Sequence, residues 1–136
     1  MTVLVDTSVW SLALRRKRGD LNAQELRLTH ALAELIREGR AQLVGVVRQE
    51  LLSGIREPEH FRKLRDYLRA FEDPQLESED YEEAARMSNQ CRSQGVAGST
   101  IDFLICALAR RRNWHILTTD RDFERYAKGL DVKLLQ

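Results

Sequence analysis

Val3-Leu4-Val5-Asp6-Thr7-Ser8-Val9-Trp10 opens the chain with an aliphatic run that breaks on an acid and two hydroxyl residues. Aliphatic residues without polar alternation are the composition of a strand buried on both faces, and hence of a parallel sheet. Asp6-Thr7-Ser8 supplies helix-capping side chains, and Val9 to Leu14 reads as a short helix. A buried strand running straight into a helix is the first half of a βαβ unit, and the rest of the chain repeats that alternation.

Beyond the first helix, Arg15-Arg16-Lys17-Arg18-Gly19-Asp20 is a charged connection. From Ala23 to Glu38, the residues Leu28, Ala31, Leu32, Leu35 and Ile36 fall on one helical face, and Gly39 stops the helix. Gln42 to Val47 reads as a second strand, and Arg48 to Arg56 as a helix with Leu51 and Ile55 one turn apart. Pro58 starts another helix, with Phe61, Leu64, Leu68 and Phe71 as its stripe. Pro74-Gln75-Leu76 reads as a short edge strand. Ser78 is placed to cap a helix running to Ser93, with Tyr81, Ala84, Ala85 and Ser88 inward.

After a Gly-containing loop, Ser99 or Thr100 caps a helix striped by Ile101, Leu104, Ile105, Leu108 and Ala109. His115 to Thr118 is a strand, Asp122 to Lys128 a helix closed by Gly129, and Val132 to Leu135 a last strand. Alternating strands and helices predict a three-layer α/β/α sandwich around a central parallel sheet of four to five strands. One domain is expected over residues 1–136.

Composition excludes several classes. The 136 residues are 43% hydrophobic and 32% charged, enough for a core and a solvated surface, which argues against a disordered chain. No apolar run approaches the roughly 20 residues that cross a bilayer. The start has neither a basic leader nor a long apolar segment, so a cytoplasmic protein without a membrane partner is expected. Cys91 and Cys106 match no metal-finger spacing and read as core thiols. His30, His60 and His115 lie far apart, which argues against zinc. The net charge is +1, so nucleic acid would have to be held by local patches. Those patches are Arg15 to Arg18, then Arg62, Lys63, Arg65 and Arg69, and Arg110 to Arg112. Each is equally a charged helix face in water.

Sites in open parallel sheets form beyond the carboxyl ends of the strands. Asp6 follows the first strand, and Asp120 and Asp122 follow Ile116-Leu117-Thr118. Asp102 falls in the first turn of the most apolar helix, and Glu50 in the first turn of the helix after the second strand. Two ionised carboxylates about 4 Å apart repel by roughly 4 kcal/mol at an effective dielectric near 20. Protons or cations must therefore neutralise Asp6, Glu50, Asp102 and Asp120 if they share a pocket. Oxygen ligands alone favour Mg²⁺ or Mn²⁺, ions that activate water against a phosphodiester.

Ordinary uses remain open beside that reading. Asp102 can favour its own helix N-terminus by about 0.3–1 kcal/mol. Glu50 suits a solvated helix face, and Asp120 and Asp122 suit a turn. Thr7, Ser8 and Thr118 can support the carboxylates or cap local backbone groups. Asp6 resists an ordinary use, because it ends a strand expected to be buried on both faces.

Four segments also carry a family resemblance: Val3 to Trp10, Gln49-Glu50-Leu51-Leu52-Ser53-Gly54, Thr100 to Ala107, and Leu117-Thr118-Thr119-Asp120-Arg121-Asp122-Phe123. In this order they resemble the four motif blocks of the PIN domain, as found in VapC-like toxins of type II toxin–antitoxin pairs. The resemblance implies a Mg²⁺- or Mn²⁺-dependent endoribonuclease whose acids are Asp6, Glu50, Asp102 and Asp120. Asp6 and Asp102 would be metal ligands, with Glu50 and Asp120 completing the pocket directly or through water. Asp122 matches a further acidic position, and Thr7 and Thr118 match supporting hydroxyls. It further implies a homodimer, a small antitoxin partner, and promoter DNA reached only through that antitoxin.

For the RNA itself, Arg15, Arg16 and Arg18 are the first candidates, since they follow the helix that starts beside Asp6. Exposed loops are the usual targets of sequence-specific RNA recognition, so tRNA is a reasonable substrate. Two alternatives are kept: a PIN nuclease of RNA processing, and a catalytically idle RNA- or protein-binding module on this fold.

Overall fold

The computed structural model describes residues 1–135. Along the chain the order is β1 (Val3–Val5), α1 (Thr7–Leu14), α2 (Ala23–Arg37), β2 (Ala41–Gln42), α3 (Gly45–Leu52), α4 (Pro58–Leu68), α5 (Ser78–Ser93), α6 (Thr100–Arg112), β3 (His115–Leu117), α7 (Asp122–Leu130) and β4 (Lys133–Leu134). A 3₁₀ turn at Arg18–Asp20 interrupts the charged connection. The strands form a four-stranded parallel sheet in the order β2-β1-β3-β4. Where β3 meets β4, His115 lies opposite Lys133 and Ile116 opposite Leu134. The α/β alternation expected from the sequence is present. By its contacts the chain divides inside β1: Val5–Pro74 is one compact unit, and Met1–Leu4 belongs with the residues from Gln75 onward.

In the Val5–Pro74 unit, α1 starts at Thr7 because Asp6, in extended conformation, takes the N-cap position. The Asp6 carbonyl accepts from the amides of Val9 and Trp10 at 3.1 and 3.3 Å. Trp10 is fully buried, its indole N–H donates to the Val5 carbonyl at 3.1 Å, and its ring meets Phe71 edge-on at 5.2 Å. An Asn22–Glu25 capping box opens α2, which buries Leu32 and Leu35. The strand expected over Gln42 to Val47 is cut short. β2 covers Ala41–Gln42 only, Val44 becomes the N-cap of α3, and Val47 and Leu51 form that helix's buried stripe. One apolar run is shared between a strand end and a helix, a split that periodicity alone does not reveal. Glu50 consequently sits in the second turn of α3, not the first. On α4, Leu64 and Leu68 are buried, while Phe61 remains 37% exposed. Arg48 fastens the end of α4, donating to the carbonyls of Leu68 and Phe71 at 2.8 and 2.7 Å and to Asp73 at 2.8 Å. It thereby satisfies acceptors that a helix end leaves without partners.

In the other unit, α5 buries Asp80, Glu83, Met87 and Cys91, and the expected inward residues Tyr81 and Ala85 are exposed. Two carboxylates can occupy this buried face because arginines from the end of α6 meet them. Arg112 binds Asp80 with both terminal nitrogens at 2.8 and 2.9 Å, Arg111 also donates to Asp80, and Arg110 reaches Glu83 at 2.7 Å. The third basic patch of the sequence is thus committed to ion pairs within the fold. Glu77, not Ser78, caps α5, and its amide donates to Asp80 at 2.7 Å. No strand forms at Pro74-Gln75-Leu76; there the Gln75 carbonyl accepts from Arg112 at 2.9 Å. α6 is buried continuously from Phe103 to Ala109, the pattern of a central helix. α7 runs through Gly129 and stops at Asp131, whose φ of 54° supplies the left-handed residue expected of the glycine. Cys91 and Cys106 are both buried. Among the described residues, no helix is long and apolar enough to cross a membrane.

Candidate active site

The acids expected in the site fall two to each unit. In the first unit, Asp6 closes β1 and is only 7% exposed. An aspartate at an N-cap ordinarily accepts a backbone N–H with its side chain, yet the Asp6 carboxylate makes no such bond. Instead, the Ser8 hydroxyl donates to Asp6 Oδ2 at 2.9 Å. The neighbouring Thr7 hydroxyl donates to Glu50 Oε1 at 2.5 Å, across 43 residues of sequence. The first turn of α1 and the second turn of α3 are therefore joined through consecutive residues that start at an acid. Thr7, one of the hydroxyls expected to support the acids, makes this bond to Glu50.

In the second unit Asp102 meets a tyrosine, while Asp120 shapes a turn. Ser99 caps α6, its hydroxyl accepting from the Asp102 amide at 3.0 Å. The helix N-terminus is thus served by the serine, while Asp102 Oδ2 accepts from the Tyr126 hydroxyl at 3.0 Å. Asp120 follows β3 and has a local duty: its Oδ1 accepts from the Asp122 amide at 2.9 Å, at the start of α7. Thr118 accepts from the Asp120 amide at 3.0 Å, so its hydroxyl shapes the turn that carries the acid. Asp122 is held by Arg125 one turn on, at 2.5 Å.

Tyr126 and Gly98 are the residues that the sequence reading did not reach. Tyr126 is 1% exposed, wedged between Phe103 and Phe123 with ring centroids 5.1 and 5.2 Å away. Burial pushes its phenol well above the ordinary tyrosine range, and the Asp102 hydrogen bond and the charges of Asp102, Asp122 and Asp120 push the same way. It remains a protonated donor. Gly98 makes room for it: a Cβ there would lie 2.4 Å from the Tyr126 hydroxyl and 2.9 Å from the Phe103 ring. Phe123, Tyr126 and Leu130 do mark the buried face of α7. The hydroxyl's partner lies 24 residues back in sequence, beyond any local pattern.

Of the basic patches, Arg15, Arg16 and Arg18 are exposed. Arg16 pairs with Glu25 at 3.7 Å, and Arg18 lies 3.3 Å from the His30 ring. On α4 and just beyond it, Arg62 pairs with Glu59, and Arg65 and Arg69 pair with Asp66 at 3.1 and 3.8 Å.

The PIN domain family model matches residues 3–129. The chain belongs to the PIN domain family. In three dimensions this PIN domain resembles FitAcB from Neisseria gonorrhoeae, with a TM-score of 0.77 and 20% identity over 99% of this chain and 97% of that one. VapBC2 from Rickettsia felis, bound to a DNA fragment from their promoter, gives 0.74 and 16% over 99% and 98%. VapBC-1 from nontypeable Haemophilus influenzae gives 0.70 and 16% over 100% and 98%. At these identities the likeness is one of fold. Among curated proteins, none matches the chain in sequence.

Metal ligation is expected of the four acids, and their chemistry suits it. Carboxylate oxygens favour a hard divalent ion that keeps several waters, which one or two direct protein ligands can hold. Among the described residues, no group of three or more His, Cys, Asp or Glu side chains is arranged to hold a metal ion.

Proposed function

We propose that this single PIN-like domain is a Mg²⁺- or Mn²⁺-dependent endoribonuclease, the toxin of a type II toxin–antitoxin module. The observation that carries the reading is that three of the four acids each accept a hydrogen bond from a neutral hydroxyl. Asp6, Glu50 and Asp102 accept from the hydroxyls of Ser8, Thr7 and Tyr126, whereas the buried acids of α5 accept from arginines. A neutral donor orients a carboxylate without cancelling its charge, and that charge is what attracts a cation. Asp6, Glu50, Asp102 and Asp120 would hold the ion, with Thr7, Thr118 and Asp122 supporting them. When bound, the ion supplies Lewis acidity, making water a nucleophile near neutral pH and offsetting charge on the leaving oxygen. The chain's own part is to orient the acids and to present RNA. Arg15, Arg16 and Arg18 lie on the exposed connection after α1 and are proposed to contact the phosphates, with tRNA as the candidate substrate.

The VapBC and FitAcB likenesses support a small antitoxin as partner. The promoter fragment in the Rickettsia felis structure supports DNA contact made through that antitoxin. A homodimer in the cytoplasm completes the proposal.

Purified protein incubated with total RNA tests the activity. Discrete products are expected with Mg²⁺ or Mn²⁺ and should vanish with EDTA. Cleavage that survives the chelator would overturn the metal-dependent reading. Replacing Arg15, Arg16 and Arg18 together by Ala should weaken RNA binding. It should also flatten the plot of log affinity against log salt, by about 0.7 for each single-strand phosphate that the variant no longer neutralises. An unchanged slope would return the three arginines to the solvated surface.

A further inference from the structure

We infer that Tyr126 is a positioning residue of the metal site, orienting Asp102 by a hydrogen bond from its hydroxyl, with Gly98 as the gap that admits that hydroxyl. The inference rests on the proposed role of Asp102 as a metal ligand and adds a residue outside the four acidic blocks' carboxylates and hydroxyls.

Three observations converge on it. First, a hydrogen bond joins the first turn of α6 to the second turn of α7, from the Tyr126 hydroxyl to Asp102 Oδ2 at 3.0 Å. A carboxylate on an aspartate has two side-chain torsions, and one fixed oxygen removes most of that freedom. Second, the tyrosine cannot swing away. Its ring is held by Phe103 and Phe123 and it is 1% exposed, so the hydroxyl is placed by packing rather than by the acid it serves. Third, the backbone is shaped to let it in, because any Cβ at position 98 would fall 2.4 Å from the hydroxyl oxygen.

The same helix ties the acids to one another. Its first residue, Asp122, donates its amide to Asp120, and one turn later Tyr126 donates to Asp102. α7 therefore sets the orientation of two of the four proposed ligands from a single rigid segment. A phenol is well suited to this duty. It donates one hydrogen bond without bringing a positive charge that would compete with the ion.

The test is Tyr126→Phe, which keeps the ring between Phe103 and Phe123 and removes only the donor. Mn²⁺ binding is measured on RNA-free protein by electron paramagnetic resonance of the free ion, alongside thermal unfolding. Removing a group that orients a ligand typically costs on the order of tenfold in metal affinity. The expected result is therefore Mn²⁺ binding weakened about tenfold, with a matching rise in the Mg²⁺ concentration that half-saturates cleavage. A merely structural hydroxyl would lower the melting temperature and leave both metal readouts where they are, and that outcome overturns the inference. Asp102→Asn is measured in parallel. If it binds Mn²⁺ as the parent does, the metal-ligand role of Asp102 fails. If Asp102→Asn loses the ion and Tyr126→Phe does not, the positioning role alone fails. Gly98→Ala gives a second approach to the same bond and should weaken Mn²⁺ at least as much as Tyr126→Phe, since its methyl group displaces the hydroxyl.

Discussion

Asp6→Asn is expected to lower RNA cleavage about a thousandfold or more while leaving the circular-dichroism spectrum of the folded protein unchanged. The size follows from what the carboxylate is proposed to hold. A divalent ion stabilises developing charge by several kcal/mol, and each 1.4 kcal/mol is a factor of ten in rate, so losing about 4 kcal/mol costs about a thousandfold. The fold should tolerate the change. Asn has the shape of Asp, its side-chain oxygen can still accept from Ser8, and the backbone carbonyl that starts α1 is untouched. Asp6 is 7% exposed, and a neutral amide is cheaper to bury than a carboxylate. The melting temperature of the metal-free protein should therefore hold or rise. Cleavage at the parental rate would remove Asp6 from the site. Loss of cleavage together with loss of helical signal would make the effect one of folding.

The order of elements was legible because it depends on local pattern. Val3-Leu4-Val5 and His115-Ile116-Leu117 are strands where the aliphatic runs place them. The cap at Ser99 also follows from chemistry within three residues. What the sequence concealed is tertiary. The run from Gln42 to Val47 divides between a strand and a helix according to which side chains meet the core. The inward face of α5 shows why hydrophobicity alone can mislead. It selects Tyr81 and Ala85, but buried Asp80 and Glu83 displace them because Arg110, Arg111 and Arg112 arrive from 27 to 32 residues away. The proposed site divides along the same line. Asp6, Glu50, Asp102 and Asp120 stand out by their place after strands and in helix turns. Thr7 was legible as a supporting hydroxyl, but the acid it serves was not, because Glu50 lies 43 residues away. Tyr126 was not legible at all: it is 24 residues from Asp102 in a helix whose apolar stripe already accounts for it.

Asp80→Ala should be the most damaging substitution for stability, and its effect should depend on pH. The carboxylate is fully buried. Burial pushes its pKa up, but the Arg112 hydrogen bonds, the Glu77 amide and Arg111 outweigh that and hold it at about 2, against an ordinary 3.8. Removing one partner of a buried ion pair strands the other charges and costs roughly 3–5 kcal/mol. Arg112 would keep the Gln75 carbonyl and the face of Trp114, which sets the expectation toward the lower end. The pH dependence has a definite sign. Because the folded pKa is depressed, the unfolded chain takes up the proton first as pH falls. The contribution is complete above about pH 4 and fades as pH approaches 2, by about 2 kcal/mol in all. Urea unfolding of the parent and of Asp80→Ala at pH 6, 4 and 3 reads this directly. The gap between them should be widest at pH 6 and narrow toward pH 3. A gap that stays constant across that range would mean that the Asp80 charge contributes nothing and that only its packing matters. Since α6 carries the arginines at one end and Asp102 at the other, the same network also fixes the helix from which the proposed ligand projects. Any activity lost in Asp80→Ala should track the unfolded fraction and return on cooling.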